Sequence, residues 1–502
     1  MCLTIKLLRR SAWAVPLAFI AVFEFGLTVN TVAAKPTQGQ QPVTEVDWAV
    51  AARMDIDSIY STLRDNHPGP VDTSNPKFSQ WLIEGRSLAV KQAATATHAA
   101  DYWRAVRLYT NGFRDGHIWF DFIKPTRQVW PKFLTMRDAM GKARVVLNDG
   151  EPSVPLGAEL LACDGLDAES LQQKLVDPYR WNADIPHERD TNSVFLMTAI
   201  DDDPQKPYSC RFRTDDHEFD YSLRWSSFSE DQFAELINRA TGRAQARIEL
   251  HQVGPVWFVS LPTFYLQEPA QVDAMRALIG ELDQVAGKLR DAPWVVLDVR
   301  GNSGGNSGWG REVAEKLFGK KVVAGIEGRF DWTVDWRVSN ANAATLREYA
   351  AQSEKHRQIA DARYRRKLAD EIEKAAAEGK TYVRRASHAR FASDATTGRS
   401  PFKGRVYLLT DHTCASACLD FADITRRLPG VVHIGLPTSA DSIYIDNTGH
   451  VLPSNQGMFS WSLKVYRNRI RSNNEWYEPD IAWPGGPMTD AAVASWVQTL
   501  TP

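Results

Sequence analysis

The segment Trp294-Val295-Val296-Leu297-Asp298-Val299-Arg300-Gly301-Asn302-Ser303-Gly304-Gly305 constrains the fold more than any other. Its first half is short, apolar and β-branched, the pattern of a strand buried on both faces in a parallel sheet. Its second half is a turn in which Gly301, Gly304 and Gly305 permit positive φ and let backbone N–H groups approach a ligand. Such a concavity of amides suits an anion, either a phosphate or a developing oxyanion. The lysine of G-x-x-x-x-G-K-[ST] is missing and G-x-G-x-x-G does not fit, which disfavours phosphate. A plain structural turn and an oxyanion-binding turn remain, and the second needs a nucleophile from elsewhere in the chain.

The 502 residues allow two or three domains. A net charge of −2 excludes a dedicated nucleic-acid binder, which would carry a basic excess. The 17 Trp residues suit large cores and the wall of a substrate groove. Lys6, Arg9 and Arg10 precede an apolar run from Trp13 to Val29, and Thr31-Val32-Ala33-Ala34 offers small residues for cleavage. Residues 1–34 therefore read as a signal peptide, with periplasmic delivery expected. Glu24 and Pro16 argue against a spanning helix, so no stable membrane insertion is expected, although a retained anchor is the alternative. Residues 35–44 read as a disordered leader. Past the signal stand Cys163, Cys210, Cys414 and Cys418, an even number for an oxidising compartment. Cys163 with Cys210 is a candidate bridge; one between Cys414 and Cys418 would be strained if both sat on one helical turn. Without C-x-x-C pairing, no zinc site is expected.

Residues 45–125 read as a helical domain ending in the turn Asn111-Gly112-Phe113-Arg114-Asp115-Gly116-His117. Residues 126–245 read as a small β-rich module. Strand, helix and strand alternate over 246–339 and resume over 401–490, the order of an α/β core. Between them, 340–400 is charged with a modest apolar stripe and reads as a helical insertion, a solvated arm or lid.

The chemistry gathers after the apolar strand Arg405–Thr410, in Asp411-His412-Thr413-Cys414-Ala415-Ser416-Ala417-Cys418. Ser416 stands at a strand-to-helix junction, and the Ala417 N–H lies at the helix start, where unpaired donors favour a negative oxygen. That is how serine acyl-transfer enzymes present a nucleophile, although G-x-S-x-G is absent. Ser416 as a simple helix cap is the competing reading. Likewise His117 is either an exposed loop histidine or a base held at the mouth of a strand.

Asp115-Gly116-His117, the run from Leu297 to Gly305, and Thr413-Cys414-Ala415-Ser416-Ala417 together resemble the C-terminal processing (tail-specific) serine peptidase family, including its tricorn-core branch. Gly435-Leu436-Pro437-Thr438 and Glu478-Pro479-Asp480-Ile481 resemble its later signatures. The resemblance implies a ClpP/crotonase-like α/β core with a PDZ-like character for the β-rich module. It implies Ser416 as nucleophile and an oxyanion hole from the N–H groups of Gly304, Gly305 and Ala417, with a peptide or protein as substrate and no metal or cofactor. Many members use a lysine base, but Asp441 stands at that lysine's place in Gly435-Leu436-Pro437-Thr438-Ser439-Ala440-Asp441-Ser442. His117 is then the base, with an ordinary pKa of about 6.5. Its orienting acid is read as Glu475, with Asp115 and Glu478 as alternatives, and Asp441 is expected to be dispensable. His412, directly after the strand, is expected to face away. The function read is thus an exported serine peptidase of Ser-His type. The alternatives are a non-catalytic binder of apolar ligands or peptides on the same fold, and a hydrolase of non-peptide esters or amides. The residues leave the oligomeric state open.

Overall fold

The computed structural model describes residues 46–242, 247–329, 331–355, 358–386 and 399–500. The signal peptide and leader read at 1–34 and 35–44 lie outside the described residues, as do 356–357 and 387–398 of the insertion.

The strand expected at Trp294–Asp298 is the third of six in one sheet, ordered Glu249–Val253, Val256–Ser260, Trp294–Asp298, Arg405–Thr410, Val431–Gly435 and Ile481–Ala482. All neighbours after the first pair run parallel. Val295 and Leu297 pack on one face with Met275, Leu278, Val313 and Leu317 from the helices Pro269–Asp291 and Ser307–Phe318. Val296 points to the other face, against Tyr407 and Val493 of the helix Asp490–Thr499. Burial on both faces is why the run is apolar at every position rather than alternating.

The helices Trp48–Asn66, Pro76–Ala93 and Ala99–Asn111 share a core with a second, antiparallel sheet built on the long strand Gly457–Arg467. That strand pairs with Phe120–Phe122, Thr333–Arg337 and Tyr444–Val451. The insertion departs from expectation. Asn340–Lys355 and Ile359–Ala377 form a helical hairpin whose Leu346, Leu368, Ala369 and Ile372 enter the same core as Ile56, Ile59 and Leu63. It is no solvated arm: half of its buried residues are alanine, which looks weak in composition but allows close helix packing.

Residues 130–240 form a third body with its own core and a sheet ordered Phe133–Arg137, Ala143–Asn148, Glu159–Cys163, Ser209–Arg213, Glu218–Ser222. Cys163 and Cys210 sit opposite each other in that sheet and are bridged. Among the described residues no helix is long and apolar enough to cross a membrane.

Candidate active site

Two turns leave the C-terminal ends of adjacent parallel strands, where α/β sheets present their ligands. The first follows Asp298. Arg300, buried at 1 % exposure, pairs with Asp298 and with Asp490, fixing the base of the glycine turn. Gly304 and Gly305 adopt φ of 108° and 129°. A Cβ on Gly304 would lie 2.8 Å from the Ser416 Cβ and 3.1 Å from the Ala417 nitrogen. One on Gly305 would lie 2.1 Å from Phe264 backbone. Only glycine lets the first turn rest on the second.

The second turn carries Ser416 at φ 51° and ψ −120°, a conformation non-glycine residues rarely hold. The helix Ala417–Thr425 begins directly after it, and the Ser416 side chain makes no capping hydrogen bond. The simple-cap reading therefore fails: a capping serine takes extended φ/ψ and accepts an N–H with its Oγ. Cys414 and Cys418 are bridged around Ser416. Only Cys418 lies in the helix, so the one-turn geometry that raised concern does not arise. Among the described residues the N–H groups of Gly305 and Ala417 have no acceptor. The Gly304 N–H differs from expectation, because it donates to Asn302 Oδ1 at 2.9 Å. Gly304 serves close approach, and two amides rather than three are open to an oxyanion.

His117 is 5 % exposed in the turn that leads into Phe120–Phe122. Ser460 Oγ donates to its carbonyl at 2.5 Å, fastening the turn to the long strand. The His117 Nδ1 lies 3.6 Å from Asp115 Oδ1 and 3.6 Å from Asp441 Oδ1. Burial disfavours the charged ring, but Asp441, then Asp115, outweigh it and raise His117 to about 9. On the far side of Asp115, Gly69 N–H donates to His67 Nδ1, so the proton of His67 sits on Nε2, 3.3 Å from Asp115 Oδ2. Burial pushes Asp115 up, but the facing His117 and His67 rings override it and hold the carboxyl well below its usual range. Arg469 Nη1 reaches Asp441 Oδ2 at 3.5 Å, and Arg469 also pairs with Asp420. Asp420 N donates to the Ser416 carbonyl, so the histidine cluster runs without a gap into the serine helix.

Glu475, read from sequence as the acid for His117, is spent differently. Its Oε2 accepts Ser472 N–H at 2.6 Å, and only its backbone bridges to Asp441. The acids facing the imidazole are Asp441, expected to be dispensable, and Asp115, one of the two alternatives; Glu478 accepts from Trp476 instead. His412 is turned to the Pro437 carbonyl and stacks on His187.

Sequence reasoning passed over Asn302 and Asp411. Asp411 accepts Gly301 N–H at 2.9 Å with one oxygen and Thr413 N–H at 2.9 Å with the other, joining the two turns. Three Asx turns share one pattern: Asp115 accepts from His117 N, Asn302 from Gly304 N and Asp411 from Thr413 N. An Asp or Asn two residues before His117 and Gly304, and another at the start of the turn to Ser416, was a readable signal. A cavity of about 470 Å³ opens alongside, walled in part by Gly116, Ser303 and Thr413.

Residues 258–482 match the family model of Peptidase family S41. Mature CPAF shares the fold at 11% identity and a TM-score of 0.57, over 86% of this chain and 92% of CPAF. Its complex with lactacystin gives 12% identity and 0.57, over 86% and 94%. A CPAF mutant gives 12% and 0.55, over 87% and 93%. No curated protein matches the sequence. The two turns, the Ser416 helix and Asp441 all fall inside the matched residues, so the part of the chain that carries the candidate site is the part that is similar to peptidase family S41.

Proposed function

We propose that this chain is an exported serine peptidase in which Ser416 is the nucleophile and His117 the general base. One observation carries the reading: an uncapped serine at φ 51° packs against Gly304 at a helix start, and the amides of Gly305 and Ala417, next to that contact in the chain, are unbonded. Ser416 Oγ attacks the scissile carbonyl, and the oxyanion is held by the N–H groups of Gly305 and Ala417. One such donor contributes about 100- to 1000-fold in rate. His117 Nδ1 faces carboxylates, and Nε2 is the nitrogen assigned to take the Ser416 proton and return it to the leaving amine. With His117 raised to about 9, the neutral base accumulates as pH rises above neutrality. The carboxylate at 441 favours this assignment over a lysine base. Export rests on the Lys6-to-Ala34 pattern and on the two disulfides, which persist in oxidising compartments.

A fluorophosphonate probe tests the nucleophile. Wild type is expected to be labelled at Ser416 and the Ser416→Ala protein not at all; labelling that survives the substitution would falsify the assignment.

A further inference from the structure

The cavity beside the turns has aromatic walls, including Trp103, Trp119 and Phe195, and the guanidinium of Arg180 stands among them. Arg180 lies over the Phe195 ring at 3.8 Å and over Trp103 at 5.1 Å. These contacts cover the faces of its planar group but leave its five N–H donors unused. Among the described residues none of those donors has an acceptor and no carboxylate lies within 4.0 Å.

Its position is built, not incidental. Asn111 Nδ2 donates to Pro178 O at 3.0 Å, Arg107 Nε to Tyr179 O at 3.0 Å, and Asn192 Nδ2 to Trp181 O at 2.7 Å. The backbone is thereby held on both sides of Arg180. Trp181 packs on Gly116, where a Cβ would meet the indole at 3.2 Å, so this segment abuts the turn that carries His117.

The cavity is also lined by Asp115, Asp138, Glu188, Asp190 and Asp411, so the imbalance of charge is local to Arg180 and Arg107. Arg107 and Arg180 face one nearby carboxylate, Asp121, which accepts Phe122 N–H at 2.9 Å. Burial raises the Asp121 carboxyl and so weakens it as a counter-ion. Burial and then the like charge of Arg107 pull Arg180 down to about 9, a cost that an incoming anion would reverse.

We infer that Arg180, backed by Arg107, is a specificity residue that takes a carboxylate of the bound peptide in this cavity. The carboxylate comes either from an acidic side chain or from the chain terminus, since a planar guanidinium fork recognises both alike. The inference rests on the peptidase reading for the identity of the ligand.

Binding to the Ser416→Ala protein tests it without turnover. Four N-acetylated pentapeptide pools are titrated by tryptophan fluorescence. Two are C-terminally amidated with a central Glu or Gln, and two lack acidic residues and end in a free carboxylate or an amide. Either the Glu pool or the free-carboxylate pool is expected to bind about 10- to 100-fold more tightly than its neutral counterpart, which names the source. Adding Arg180→Met, which keeps the apolar stem, is expected to abolish that difference, and Arg180→Lys to retain part of it. Equal affinities in both pairs, no saturable binding by any pool, or a difference that persists in Arg180→Met would overturn the inference. Labelling of wild type at Ser416 is read separately: its absence sinks the nucleophile assignment, while the pools still report on Arg180.

Discussion

Asp441→Asn is the sharpest perturbation of the proposed mechanism, because it removes a charge and little else. The lost carboxylate oxygen stands 3.6 Å from His117 Nδ1. Two unit charges at that separation interact by about 4.6 kcal/mol at an effective dielectric of about 20, and by about 1.2 kcal/mol at about 80. Those limits correspond to about 3 and about 1 pH units. Starting from about 9, the His117 titration is expected to move to between about 6 and 8. Arg469 strengthens the trend, since its guanidinium disfavours the imidazolium and loses a counter-ion in the same substitution. At pH 7 the neutral ring would rise from about 1% of molecules to between about 10% and 90%. The assay is the second-order rate of fluorophosphonate labelling at Ser416 between pH 5 and pH 10. Its midpoint is the quantity to read, because the variant also loses part of the support that orients the ring. A midpoint that stays near 9 in Asp441→Asn, or that moves in Glu475→Gln instead, refutes the reasoning and returns Glu475 to the role read from sequence.

Gly304→Ala, with a Cβ forced to 2.8 Å from Ser416 at φ 108°, is expected to slow labelling at least about 100-fold, the scale of a displaced oxyanion site; a rate within a few-fold of wild type, measured under the same conditions, would show that the two turns do not need their contact. Leu368→Ala, at 0% exposure in the helical hairpin, is expected to cost about 2–5 kcal/mol in urea unfolding, whereas a solvated arm would lose next to nothing. The raised His117 also ties stability to pH. Its contribution is fully present below the unfolded value of about 6.5 and is lost as pH rises through about 9, at most about 3 kcal/mol. The stability gap between wild type and His117→Gln should therefore narrow from pH 6 to pH 9.5 in thermal melts, and a gap that widens contradicts the ion pairing.

Local chemistry made much of this protein legible. A continuous apolar run such as Val295-Val296-Leu297 has one stable home, a strand covered on both faces, and clustered glycines after it mark a turn with unusual φ. Small residues around Ser416 marked the strand-to-helix junction for the same reason. The helical hairpin reads as a solvated arm because a buried face that is half alanine carries little hydrophobic signal until a facing surface is known to be close enough to use it.

Sequence alone determined the elements and the groups that stand at their ends: the imidazole of His117, the hydroxyl of Ser416 and the amides after Arg300. Tertiary structure decided which charges surround them. Asp441 looked like a missing lysine, and folding places it against His117 from more than three hundred residues away. Asn302 gives its side chain to the Gly304 amide, and Arg180 arrives beside the His117 turn stacked on Phe195. Backbone preference is set by a residue and its immediate neighbours, so it is written along the chain. Electrostatic environment depends on separation through space, which no spacing in the sequence encodes.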